Sequence, residues 1–172
     1  MVIASDIILK GEIWKQAADG FSSFFKQRTH YDIFLISTAI GVVYDRQEEA
    51  TDDGSDLDIS IPRNVFNNRS EPFDKLVQTA LLTSNTIDMT DEERLKLAFS
   101  GEKDDFDRLG FLMKFANYGI QKLSSLKGID DTETMENIKT FVIGTAEGTN
   151  YEIEAIKQES IAEAIMEYDA DQ

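Results

Sequence analysis

The 172-residue chain has no cysteine, one histidine, one tryptophan and two prolines. Without cysteine there is no disulfide, no thiolate-bound zinc, no iron–sulfur cluster and no thiol nucleophile, and the composition fits a reducing compartment. The lone histidine, His30, is where any Ser–His–Asp chemistry would have to be built. It stands in the basic, polar stretch Lys26-Gln27-Arg28-Thr29-His30 just before an apolar run, the setting of a surface or helix-start residue. Cations are scarce too, with 17 Lys+Arg against 33 Asp+Glu and no basic run. Each phosphate bound by a protein needs a compensating cation, so direct nucleic-acid binding is disfavoured. Long apolar runs are also missing. Nothing approaches the ~18–20 uninterrupted apolar residues of a membrane span. The first residues, MVIASDIILKGEIW, lack a basic n-region and are interrupted by Asp6, Lys10 and Glu12, so no signal peptide is expected. A soluble, cytoplasmic protein without membrane association is the expectation.

What is abundant is negative charge, and it is unevenly placed. Residues 45–60 carry seven Asp/Glu against Arg46, and residues 147–172 carry eight against Lys157. These two stretches hold −13 of the formal −16, so the remaining chain is close to balanced. The organisation expected is a helical body over residues 1–146 with an acidic loop at 45–60, followed by an acidic helical arm at 147–172. With 41% hydrophobic residues, a chain of this length can bury its own core as one domain.

Periodicity makes the body mainly α. Thr90-Asp91-Glu92-Glu93 has the spacing of a capping box, and Leu95, Ala98 and Phe99 then recur on one face before Gly101. Glu71-Pro72 opens another helix, with Phe73, Leu76, Val77, Ala80 and Leu81 at three- and four-residue steps. The longest helical segment runs from about 103 to 127. Its stripe is Phe106, Leu109, Gly110, Met113, Ala116 and Ile120, widened by Leu112, Phe115 and Leu123, and Gly128 is the expected stop. Gly110 and Gly119 inside it each cost roughly 1 kcal/mol against Ala, which points to something packed on the helix backbone. Near the N-terminus, Leu9, Ile13 and Ala17 repeat every four residues beside Trp14 and end at Gly20. Residues 31–43 are apolar almost all round, a pattern that periodicity leaves open between helix and strand and that we read as a buried helix. Leu57–Ile61 and Phe141–Ile143 remain as short strand candidates able to pair as a minor hairpin. The aromatic-rich first third, with Trp14, Phe21, Phe24, Phe25, Tyr31 and Phe34, reads as core.

One string looks catalytic. Gly54-Ser55-Asp56-Leu57-Asp58-Ile59 resembles the Asp-x-Asp element of polymerase-β-like nucleotidyltransferases, because residues two apart on a strand share a face and two carboxylates can hold Mg²⁺. That family also needs a Gly-Ser turn opening a helix roughly ten residues earlier. The counterpart here, Ile40-Gly41-Val42, has no Ser, and an acidic loop follows. An EF-hand counted from Asp52 places Gly54 at its third position and Arg63 at its twelfth, which fails that pattern. Gly144-Thr145-Ala146-Glu147-Gly148 lacks the features of a P-loop or a dinucleotide fingerprint. No catalytic residue, metal or cofactor is assigned.

In the arm, Ile153, Ile156, Ile161, Ala164 and Ile165 fall on one side of a helix from about Tyr151 to Tyr168. Ile153, Ile156, Ile161, Ile165 and Tyr168 are the candidate partner-binding residues. The first reading of such an amphipathic face is a terminal helix packing on its own domain, and the second is a helix offered to a partner's groove.

The order of several features resembles small helical accessory proteins associated with bacterial DNA phosphorothioation (Dnd) and related phage-defence loci. Carrying the resemblance are Phe24-Phe25-Lys26, Tyr31-Asp32-Ile33-Phe34-Leu35-Ile36, Ala39-Ile40-Gly41, Ile61-Pro62-Arg63 before Val65-Phe66, and Phe115-Ala116-Asn117-Tyr118-Gly119-Ile120. It spans roughly residues 10–125 and implies an accessory component of such a locus, without catalytic residues to carry over. The acidic loop and arm depart from that group. The function expected is a non-catalytic protein–protein interaction or accessory subunit. Two alternatives from other classes are an acidic DNA mimic that occupies a nucleic-acid-binding protein, and a divergent metal-dependent nucleotidyltransferase using Asp56 and Asp58.

Overall fold

The computed structural model describes residues 4–23, 30–50, 57–99 and 106–148. The chain divides into two compact units, residues 1–125 and 126–172. The fold is mainly helical, and its described residues form seven helices and a two-stranded antiparallel sheet.

The first unit is built round the apolar segment of residues 31–43, which forms α2 (His30–Tyr44), the helix favoured over a strand for it. Tyr31, Ile33, Phe34 and Ile40 are buried on several sides of it. Its main neighbour is α6 (Arg108–Ser125). The crossing is set by two glycines. A Cβ on Gly41 would stand 2.1 Å from the Phe115 carbonyl oxygen, and one on Gly119 would stand 1.8 Å from that of Ser37. The backbones therefore meet directly, as the glycine at 119 predicts. Gly110 is different, since its neighbour is the Asp107 side chain and no packed helix.

The buried face of α6 is centred on Leu112, Phe115, Ala116, Ile120 and Leu123, whereas Phe106, Leu109, Gly110 and Met113 are only partly covered. The expected stripe was thus displaced round the helix. The broad apolar surface fits several centres, and the glycine contact with α2 selects one. The helix also begins after Phe106 and ends at Ser125, short of Gly128.

Around this pair lie α1 (Glu12–Gly20), α3 (Arg63–Asn68), α4 (Ser70–Thr83) and α5 (Asp91–Phe99). Phe66 of α3 joins the first unit's aromatic core edge-on, with ring centroids 5.3 Å from Tyr31 and 4.7 Å from Phe73. Such offset contacts contribute about 0.5–1.5 kcal/mol beyond area burial. Trp14 and Phe34 extend the cluster. In α4, Phe73, Val77, Ala80 and Leu81 are buried, the face that the sequence marks. The capping box of α5 forms as expected. Glu93 N–H donates to the Thr90 hydroxyl at 3.3 Å, and Thr90 N–H donates to the Glu93 carboxylate at 2.8 Å. That bond, with a second from the Thr90 hydroxyl, holds the Glu93 carboxyl below its usual range. The apolar face expected of α5 is a correction, because only Ala98 is buried and Leu95 and Phe99 are exposed.

Two further corrections concern strands. Leu9 belongs to β1 (Ile7–Leu9), so the four-residue repeat through Leu9, Ile13 and Ala17 is not one helix. Gly11, at φ 100° and ψ 156°, turns the chain between strand and helix in a conformation only glycine adopts readily. The second strand, β2 (Ile59–Ile61), lies where a strand was expected, but it pairs with β1 in the register Ile7–Ile61, Ile8–Ser60, Leu9–Ile59. Phe141–Ile143 is helical, inside α7 (Asp131–Glu147) of the second unit. A three-residue apolar run cannot distinguish strand from helix, and here the helix ends decide. Asp130 caps the start by accepting Glu133 N–H at 2.9 Å, and Gly148, at φ 68°, supplies a left-handed stop.

Candidate functional site

Asp58, one of the two carboxylates expected to hold a metal in the nucleotidyltransferase reading, accepts the Gly11 N–H at 3.1 Å. It braces the turn between β1 and α1. Asp56 lies outside the described residues, as do Ile153, Ile156, Ile161, Ile165 and Tyr168. His30 is the first residue of α2, and its Nδ1 stands 2.9 Å from the Ser60 carbonyl oxygen at the sheet. Among the described residues, no cluster of three His, Cys, Asp or Glu side chains is placed to hold a metal ion, and no helix is long and apolar enough to cross a membrane.

Among the described residues of the first unit, polar side chains around Arg69, Asp45 and Arg94 brace the chain. Asp32, nearly buried, meets the Arg69 guanidinium through both oxygens, at 2.9 and 3.4 Å, and this bond raises the Arg69 pKa further. Tyr31 donates to the Arg69 carbonyl while the guanidinium lies 5.1 Å from its ring centre. Burial pushes the Tyr31 phenol up to about 12. Asp45, in the left-handed region at φ 50°, accepts the Ser84 hydroxyl, the Asn85 N–H at 2.7 Å and the Thr86 hydroxyl at 3.1 Å. Arg94 closes the same loop by donating to the carbonyls of Ser84, Ile87 and Met89. These groups hold chain segments together, since each is paired to backbone or to a fixed side chain.

A cleft of about 260 Å³ opens between the Gly11 turn and α6, lined by Lys10, Gly11, Trp14, Asn117 and Gln121 among others. Both described ends of the acidic loop are tied to its walls. Glu48 N–H donates to the Lys114 carbonyl at 2.9 Å, the Glu48 carbonyl accepts Asn117 Nδ2 at 3.2 Å, and its carboxylate accepts Gln121. At the loop's return, Asp58 holds Gly11. Asn117 Oδ1 is approached by Trp14 Nε1 at 3.4 Å. The cleft's amides are thereby engaged in anchoring the loop, and the charged side chain among its lining residues is Lys10.

The second unit offers a different kind of surface. Of the 17 residues of α7, only Thr134 is buried. Ile129 is 98% exposed, Val142 58%, Met135 51% and Ile143 45%. Met135 and Val142 are seven residues apart and so share a helix face. Sequence reasoning marked Val142 and Ile143 only within a strand candidate and did not single out Ile129 or Met135. The signals were Asp130-x-x-Glu133 at the start and Gly148 at the end, which frame Met135, Ile138 and Val142 at helical spacing.

Comparison of the chain with protein-family models, with curated proteins and with solved structures finds no match.

Proposed function

We propose that this protein is a non-catalytic interaction subunit and that α7 is the element it presents, the occupant being a basic protein with an apolar groove. The observation that carries this reading is the exposure of Met135, Val142 and Ile143 on a helix capped at both ends. An isolated helix of this length is marginal in water, and burying side chains of this kind is worth about 1.5–3 kcal/mol each when complete. The charge specifies the partner. Residues 126–148 carry five Asp/Glu against two Lys, and residues 149–172 carry seven against one. A basic rim around an apolar groove complements that distribution. The resemblance to accessory proteins of DNA-modification and defence loci makes the proteins of such a locus the first candidates for that partner.

The test uses the full chain as bait in an extract of its native cell, beside a Met135→Asp/Val142→Asp bait, with captured proteins quantified by mass spectrometry. A basic protein whose capture falls about tenfold or more on the variant, while melting stays unchanged, is the expected result. Capture indifferent to the variant, or of an acidic protein, overturns the reading. Salt separates it from the DNA-mimic alternative. Under this reading salt weakens binding only in part and the loss caused by Met135→Asp/Val142→Asp persists at physiological ionic strength, whereas binding carried by the acidic array alone weakens steeply with salt and is indifferent to that variant.

A further inference from the structure

The two strands of the small sheet have unlike outer edges. In an antiparallel pair, residues alternate between those that exchange both backbone hydrogen bonds and those whose N–H and C=O point away from the partner. Pro62 fixes which is which. If Ile8 and Ser60 were the bonded pair, the next bond beyond Ile7–Ile61 would need the N–H of residue 62, which proline lacks. Ile7–Ile61 and Leu9–Ile59 are therefore the bonded pairs, and the peptide groups of Ile8 and Ser60 point outward. On the β2 side that edge is covered, because β2 lies against α2 and the Ser60 carbonyl meets His30 at 2.9 Å. On the β1 side the extensive contact among the described elements is with β2 alone, Ile8 is 47% exposed, and no backbone hydrogen bond of the described residues outside the sheet reaches its peptide groups, so the Ile8 edge is unpaired.

The residues along that edge read as their own complement. Ile7 and Leu9 are buried, while Asp6, Ile8 and Lys10 are exposed, Ile8 at 47%. In an antiparallel pairing centred on Ile8, residue 8 faces residue 8 and residue 6 faces residue 10. Asp6 of each copy then stands opposite Lys10 of the other, with the two Ile8 side chains adjoining between them. Asp6 uses Oδ1 to accept Arg63 N–H at 2.9 Å, which leaves Oδ2 for the ammonium.

We propose that the outer edge of β1 is a self-pairing edge, through which two copies of this chain join antiparallel about Ile8 into a four-stranded sheet ordered β2–β1–β1–β2. The occupant is a second copy because opposite charges meet at both ends of the pair, an arrangement that favours pairing where like charges opposed would resist it. A two-fold axis through the Ile8 pair makes the contact isologous and closed, so assembly stops at the dimer. This surface lies in the first unit and stands independently of the α7 reading.

The experiment is sedimentation of the full chain from about 10 μM to 1 mM, at about 0.15 M salt, where the Debye length is about 8 Å and the repulsion between two acidic chains is screened. A reversible monomer–dimer equilibrium is expected. Lys10→Asp opposes carboxylates at both ends and should weaken the dimer by about tenfold or more. Ile8→Pro removes the outward N–H without removing a ladder bond, so it should leave a folded monomer with an unchanged circular dichroism spectrum. The chain has no cysteine, so a single introduced thiol reports the register. Facing residues of a bonded antiparallel pair have Cα atoms about 5.5 Å apart, within disulfide reach. Ile8→Cys should therefore cross-link on mild oxidation and Lys10→Cys should not. A monomer throughout the concentration range, a dimer that survives both Lys10→Asp and Ile8→Pro, or equal cross-linking at positions 8 and 10 overturns the proposal.

Discussion

Helices α6 and α7 are nearly equal in length, 18 and 17 residues, yet they are specified by different means. Seven residues of α6 are buried, among them Leu112, Phe115, Ile120 and Leu123, which pack on the core, and Gly119, whose backbone touches α2. In α7 one residue is buried, and the signals that define it are local: the Asp130 cap, the Thr134 hydroxyl bonded to the Asp130 carbonyl and to Gly128 N–H, and the left-handed Gly148. Tertiary packing makes the first helix part of a core. Local capping makes the second a helix while leaving Met135, Val142 and Ile143 exposed, the feature on which the proposed function rests.

The largest effect that would break this contrast is at the α2–α6 crossing. Gly119→Ala places a Cβ 1.8 Å from the Ser37 carbonyl oxygen, a backbone atom that cannot swing aside. The helices must separate, at a cost of about 3 kcal/mol or more. Thermal denaturation should show the first unit melting lower by on the order of 10 °C. A variant that melts with the parent would mean that the glycines do not set the crossing.

The next effect is set by pH. The Tyr31 phenol is pushed from 10 to about 12 in the folded protein, first by burial, so the folded state keeps a proton that the unfolded state has released. That contribution to stability is whole below pH 10 and is lost as the pH rises toward about 12. Urea midpoints measured across this window should fall for the parent and fall less for Tyr31→Phe. Parallel slopes would remove Tyr31 from the account.

Much of the first unit is legible in the sequence because its signals are redundant. The segment of residues 31–43 is apolar enough to mark the centre of the unit, although Val43 at its end is exposed, Glu71-Pro72 and Thr90-x-x-Glu93 mark helix starts by chemistry that needs no tertiary help, and Gly119 announces a close approach. What was not legible depends on partners distant in sequence. β1 is three residues long, below the length at which alternation can be told from helical spacing, and its identity follows from β2 some fifty residues away. Leu95 and Phe99 have core-like spacing on α5 yet remain exposed, because periodicity reports amphipathicity and not what covers the face. Asp58 shows the same limit in the candidate site. Its Asp-x-Asp spacing suggests a metal ligand, and the contact that occupies it, the Gly11 N–H, is 47 residues away.

The smallest expected effect separates capping from burial within α7 itself. Asp130→Ala removes the acceptor of Glu133 N–H and should cost about 1 kcal/mol, the usual worth of an N-cap aspartate. Because Thr134 is the helix's one buried residue, little packing energy is available to hold the first turn once the cap is gone. Hydrogen exchange should show the amides of residues 131–135 exchanging several-fold faster, with those of α2 and α6 unchanged. By the same argument the Met135→Asp/Val142→Asp bait should stay within about 0.5 kcal/mol of the parent per substitution, since neither side chain leaves a cavity. If the apolar pair instead proves the costlier change, those side chains are covered in solution and the contrast with α6 collapses. If the cap is costlier, α7 stands by its ends, and Met135, Val142 and Ile143 are free to serve a partner.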